Sequence, residues 1–129
     1  MLIVEDQDYM RRALRAFLQS VFPDKNVLEA ADGKSALVLC RECQPKLVLM
    51  DIALPDANGI ELTAKIKAML PDTAVIIVSS HSGSAYSERA KAAGAFACIA
   101  KDAVYEDLLP AVGAALGTPY PDADRNKNK

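Results

Sequence analysis

The sequence predicts an α/β domain built on one doubly wound, five-stranded parallel sheet, and three observations predict it. Five short runs rich in aliphatic and β-branched residues recur along the chain, separated by stretches with the spacing of amphipathic helices. Several of those runs are apolar throughout instead of alternating, as strands covered on both faces require. The connections between them are short, and βα units so joined fold into a single layer with right-handed crossovers.

The elements follow in order. Met1–Val4 is the first strand. Asp8 is placed to cap the first helix, whose apolar face reads Met10, Ala13, Leu14, Phe17, Leu18 and Val21 before Pro23 stops it. Asn26–Ala30 is the second strand, and a helix from about Lys34 to Glu42 ends before Pro45. Leu47–Asp51 is the third strand. Asn58 caps the next helix, with Ile60, Leu62, Ile66 and Leu70 inward and Pro71 closing it. Ala74–Ser79 is the fourth strand, and the small, polar helix near Ala85–Ala93 stops at Gly94. Phe96–Ala100 is the fifth strand. The last helix runs from about Val104 to Leu116, and Pro110 inside it predicts a late start or a kink. The chain then turns polar as GTPYPDADRNKNK, so residues 1–117 are expected to form the domain and residues 118–129 a polar tail or the stump of a linker.

Composition narrows the function classes. The 129 residues, 51% hydrophobic and 25% charged, suit one soluble globular domain and are too apolar for a disordered chain. No apolar run approaches a membrane span, and the opening MLIVED has neither the basic region nor the apolar core of a signal peptide, so a cytoplasmic protein without membrane contact is expected. A net charge of -2 excludes a broad, sequence-blind nucleic-acid surface. The basic cluster Arg11, Arg12 and Arg15 falls on one helix and reads as a solvated face rather than a docking patch. Three cysteines give no disulfide framework. Cys40 and Cys43 form a C-x-x-C within a helical pattern, without the second pair of ligands a zinc site needs.

Ligands of such a sheet bind beyond the carboxyl ends of its strands. Those ends carry Glu5 and Asp6 after the first strand, Asp51 at the third, Ser79 at the fourth and Lys101 after the fifth. Clustered carboxylates repel unless a cation sits among them. Magnesium is the natural hard cation, since it takes one or two carboxylates, keeps waters and accepts phosphate oxygens. A carboxylate facing an incoming phosphoryl group can act as nucleophile, while Lys101 and the Ser79 hydroxyl neutralise and hydrogen-bond its oxygens.

The fragments LIVED, LVLMDIALPDANGIEL, VIIVSS and GAFACIAKD, in this order and spacing, resemble the four signatures of response-regulator receiver domains of bacterial two-component signalling. The resemblance covers Met1 to about Leu116. It implies the flavodoxin-like (receiver) three-layer sandwich with strand order 2-1-3-4-5. It also implies a signalling phosphoacceptor rather than an enzyme, limited to autophosphorylation from small donors and slow autodephosphorylation. Matched position by position, Asp51 is the phosphoacceptor, Asp6 the direct Mg2+ ligand and Glu5 its partner acting through water. The backbone carbonyl of Ala53 completes the metal shell, Ser79 is the Thr/Ser switch position, and Lys101 is the family's lysine. Pro55 and Gly59 match the loop after the phosphoacceptor, with Pro fixing φ and Gly permitting a tight turn. Ala53 and His81 match positions that govern phosphoryl lifetime through access of water, and His81 reads equally as an exposed loop residue. The implied partners are a sensor histidine kinase or phosphotransfer protein, and a homodimer through helix 4, strand 5 and helix 5. That output surface is expected to expose Ala85, Tyr86, Cys98 and Tyr105.

Two positions depart from the family pattern. The switch aromatic is replaced by Cys98, so no ring can swing inward. Lys101 is followed by Asp102 instead of proline, and because a cis bond without proline costs ~3 kcal/mol, a trans bond is expected. The Lys101-Asp102 pair resembles receivers attached to helix-turn-helix domains, although nucleic-acid binding by this domain itself is not expected. Three other readings fit the residues less well. A pseudo-receiver would dock partners without phosphorylation, against the complete set Glu5, Asp6, Asp51, Ser79 and Lys101. A metal-dependent phosphohydrolase needs an acid where Ala53 stands. Flavodoxin-type cofactor binding wants Ser, Thr and Gly where the loop reads EDQD.

Overall fold

The expected strand order is the one observed. A computed structural model describes residues 1–80 and 84–117. The strands β1 (Leu2–Val4), β2 (Leu28–Ala30), β3 (Leu47–Met50), β4 (Ala74–Ser79) and β5 (Ala97–Ala100) form one sheet, ordered β2-β1-β3-β4-β5. Every pairing is parallel. The helices α1 (Asp8–Val21), α2 (Gly33–Cys43), α3 (Gly59–Met69), α4 (Ser84–Ala92) and α5 (Val104–Leu116) connect and follow them.

Alternate strand residues feed two separate cores, which explains the uninterrupted apolar strands. Leu2, Val4, Val48, Met50, Val75 and Ile77 pack with Ala36 and Cys40 of α2, Ile60, Leu62 and Ile66 of α3 and Ala90 of α4. Ile3, Leu47, Leu49, Ile76, Val78 and Ile99 face the other way, onto Leu14 and Leu18 of α1 and Val104, Leu108 and Val112 of α5. Two helices cover one face and three the other.

Several boundaries differ from expectation. β4 spans the expected Ala74–Ser79, while the other four strands begin or end one or two residues inside the expected runs, leaving Asp51 just past β3 and the exposed Phe96 before β5. The first helix is capped not by Asp8 but by Gln7, in extended conformation and without a side-chain hydrogen bond. Asp8 turns to Arg11 instead, at 2.6 Å. Leu70 is the C-cap of α3 and only partly buried. α2 closes on Gln44, a non-glycine residue at φ 45° that no sequence signal marked. Gly94, at φ 102°, does terminate α4 as expected.

Pro110 causes no late start: α5 begins at Val104, after one turn of 3-10 helix over Lys101–Ala103. Pro110 and Glu106 are exposed, so water can satisfy the Glu106 carbonyl that loses its helical donor. The described peptide bonds are trans, including that after Lys101. Among the described residues no helix is long and apolar enough to cross a membrane.

Candidate functional site

The sheet register assembles the acidic cluster. Val4 lies opposite Met50 between β1 and β3, and Asp51 N–H donates to the Val4 carbonyl at 3.0 Å, so the next residues, Glu5 and Asp51, emerge side by side. On the other flank Glu5 N–H donates to the Ala30 carbonyl at the end of β2. Ser79 pairs with Ala100 in β5, so Lys101 starts where that ladder ends. All five strands thus end at the same edge, and four of them bring the functional residues there.

Carboxylate oxygens of Glu5, Asp6 and Asp51 all lie within 4.8 Å of one another. Asp6 is exposed, whereas Glu5 and Asp51 are only 2% and 6% exposed. Lys101 balances the two buried charges, with its Nζ 2.7 Å from Glu5 Oε1 and 3.5 Å from Asp51 Oδ2. Burial acts to lower the Lys101 pKa, but the hydrogen bond to Glu5 and the charge of Asp51 outweigh it and hold the ammonium above its ordinary 10.5. The other Asp51 oxygen accepts the Ala53 N–H at 3.4 Å, and Glu5 Oε2 accepts the Gln7 N–H at the same distance.

Three carboxylates are hard, oxygen-only donors suited to magnesium. Oxygens about 2.1 Å from one octahedral ion lie within roughly 4.2 Å of each other. Oxygens grouped within 4.8 Å are compatible with holding one such ion.

Gly59 has a role beyond chain reversal. Its φ is not positive, but a Cβ there would lie 2.0 Å from the Asp51 carbonyl oxygen and 2.8 Å from the Asp51 carbonyl carbon. No side chain fits between α3 and the backbone carrying Asp51, so close approach, rather than the expected tight turn, demands glycine here.

The remaining expected positions are spread more widely. Ser79 is buried at the end of β4. Cys98 lies in β5 opposite Ile77, half-buried against the α2–α4 core, and burial raises its thiol pKa. Cys40 is fully buried, with its thiol pushed up to about 11 by burial, which leaves it protonated at neutral pH. Of the four residues expected to be exposed on the output face, Ala85 and Tyr105 are exposed, while Tyr86 and Cys98 are partly buried. Tyr105 also leans edge-on against Phe17 of α1, with ring centroids 5.0 Å apart. His81 and residues 118–129 lie outside the described residues.

Of two further residues in this neighbourhood, one was misplaced and the other was not singled out by sequence. Arg11, expected on a solvated face, is largely buried: it donates to the Glu5 carbonyl at 3.0 Å and pairs with Asp8 and Glu29. Arg15 joins Glu29 at 2.9 Å, and Arg12 remains exposed. Asp56 reaches from the loop after β3 to the start of α2, accepting the Gly33 N–H at 2.7 Å and the Lys34 N–H at 3.1 Å. The one signal that could have found Arg11 is its position next to Met10 of the inward stripe. Nothing in the local pattern around Asp56 signalled its distant partner.

Comparisons with known proteins agree on one family. A family model described as the response regulator receiver domain matches residues 1–113. The transcriptional regulatory protein YhcZ of Bacillus subtilis is 36% identical over 108 residues, which cover 84% of this chain and 50% of YhcZ. A two-component response regulator of the LuxR family from Aurantimonas superposes with a TM-score of 0.80 at 30% identity, covering 96% of this chain and 91% of that one. A CheY-like receiver domain protein from Methanospirillum hungatei gives 0.82, also at 30% identity, over 90% of this chain and 91% of its own. The chain spans about half the length of the curated regulators it matches.

Proposed function

The chain belongs to the response regulator receiver domain family, and from that premise we propose that it accepts a phosphoryl group from a histidine kinase or phosphotransfer protein onto Asp51. The observation that carries this reading is the convergence of Glu5, Asp6, Asp51 and Lys101 on one sheet edge. A bound magnesium ion, held by Asp6, Asp51 and the Ala53 carbonyl with Glu5 acting through water, would supply charge neutralisation for the incoming phosphoryl oxygens.

The chain's own residues do the rest. An Asp51 carboxylate oxygen attacks phosphorus, the bond from phosphorus to the donor breaks, and the donor leaves with that electron pair. Lys101, already charged and 3.5 Å from Asp51, pairs with the phosphoryl oxygens, and the Ser79 hydroxyl donates to them. Ala53 and His81 govern access of the water that later hydrolyses the acyl phosphate. The site runs no other turnover, which makes the domain a switch rather than an enzyme.

Phosphorylation adds close to two negative charges. Ser79 and Lys101 move toward Asp51, and the shift reaches the surface of α4, β5 and α5. That face controls a homodimer contact, a partner or an effector unit. The domain binds no nucleic acid itself and works in the cytoplasm. Acetyl phosphate with magnesium should add one phosphoryl group, seen by intact mass and lost in Asp51→Asn. An adduct that persists in that variant overturns the assignment of Asp51. Failure of the wild-type chain to take up any phosphoryl group favours a binding module that acts without phosphorylation.

A further inference from the structure

The loop at residues 52–58 is closed at its base and pinned at its tip. Gly59 N–H donates to the Ile52 carbonyl at 2.7 Å, Leu54 N–H to the Ala57 carbonyl at 3.3 Å, and Ala53 bridges Asn58. The tip residue Asp56 takes the first two amides of α2, one on each carboxylate oxygen. A helix start has four amides without intrahelical partners. Asp32, the local cap, satisfies that of Ser35 at 2.7 Å, and Asp56 arrives from 23 residues away to satisfy two more. The fit is tight: a Cβ on Gly33 would lie 2.9 Å from the Ala57 Cβ and 3.2 Å from Asp56 Oδ1. Near its base, the same loop holds the Ala53 N–H against Asp51 Oδ1.

We propose that Asp56 is a positioning residue for metal-dependent phosphorylation, clamping the loop onto α2 so that Ala53 stays seated against Asp51. This rests on the receiver reading. Fixing a loop residue in one conformation costs backbone entropy, and a clamp made before the ion arrives removes that cost from metal binding. Coupling is reciprocal, so metal binding tightens the Asp56–α2 contact by the same factor. The change at Asp51 therefore also reaches α2, on the flank of the sheet opposite β5.

The test is magnesium titration of the full chain, followed by calorimetry, in the wild type, Asp56→Ala and Asp32→Ala. Asp56→Ala should weaken magnesium binding by roughly five- to tenfold. Asp32→Ala strips the other α2 cap and should lower the unfolding midpoint while leaving magnesium affinity within about twofold. Equal affinity in Asp56→Ala and wild type, or an equal loss in both variants, overturns the proposal. Hydrogen exchange of the wild type, read with and without magnesium, decides the case even where Asp56→Ala does not fold. The Gly33 and Lys34 amides should gain protection, and unchanged rates overturn the clamp. Neither measurement uses a phosphoryl donor, so a failure of phosphorylation is scored separately against the receiver reading.

Discussion

Lys101 stands between two buried carboxylates, and its charge is what makes their proximity tolerable. Removing one partner of a fully buried ion pair costs several kcal/mol. The ammonium is partly exposed, so Lys101→Met should cost less, about 1–3 kcal/mol at pH 7. Magnesium should restore part of that, because it binds the folded cluster and not the unfolded chain. The pH dependence has a definite sign. A folded pKa raised above 10.5 stabilises fully below that value and is lost as pH rises through the folded one. The urea midpoint of the wild type should therefore carry an alkaline decline, setting in above about pH 10, that Lys101→Met lacks. A variant as stable as wild type at pH 7 without metal would contradict this account of the site.

At the scale of elements, the helix starts are unequally secured. Asn58 Oδ1 accepts both Ile60 N–H at 2.8 Å and Glu61 N–H at 3.3 Å, while Gln7 offers α1 no side-chain bond. Asn58→Ala should cost about 1 kcal/mol in urea unfolding. Because the backbone at Asn58 also closes the loop against Ala53, loss of the cap that fixes its conformation should slow phosphorylation from acetyl phosphate. A loss of stability without any slowing would show that the cap serves α3 alone. α5 shows the opposite economy, with its interior Pro110 at a solvent-facing position where the missing bond is least harmful.

Over the whole molecule, the proposed function gives two routes away from Asp51. One runs through Ser79 and Lys101 to α4, β5 and α5, and the other through Asp56 to α2. Cys98 is small and half-buried, so activation should move loops and helices instead of burying a ring. Hydrogen exchange with beryllofluoride and magnesium should change between Ser80 and Tyr105. Changes confined to the Asp51 pocket would remove that face as the output surface. Tyr105 should respond least along this route, because its ring is held edge-on by Phe17 of α1, which packs on the same face of the sheet.

The sequence by itself determined the strand count and order, the Asn58 cap and the five residues at the strand ends, because these depend on local periodicity, turn chemistry and family signatures. Asp51, Glu5 and Lys101 were legible as strand-end residues before any distance was known. Their pairing was not: that Lys101 sits closer to Glu5 than to Asp51 depends on how two strands that never touch are brought to one edge by β3 and β4 between them. Tertiary structure likewise decided that Asp8 serves Arg11 instead of capping α1, that Gly59 is required by a backbone pressed against it, and that Asp56 belongs to α2. Each of these is a contact between segments distant in the chain or a choice among equivalent local partners. Local pattern supplies the candidates for such contacts, and only packing selects among them.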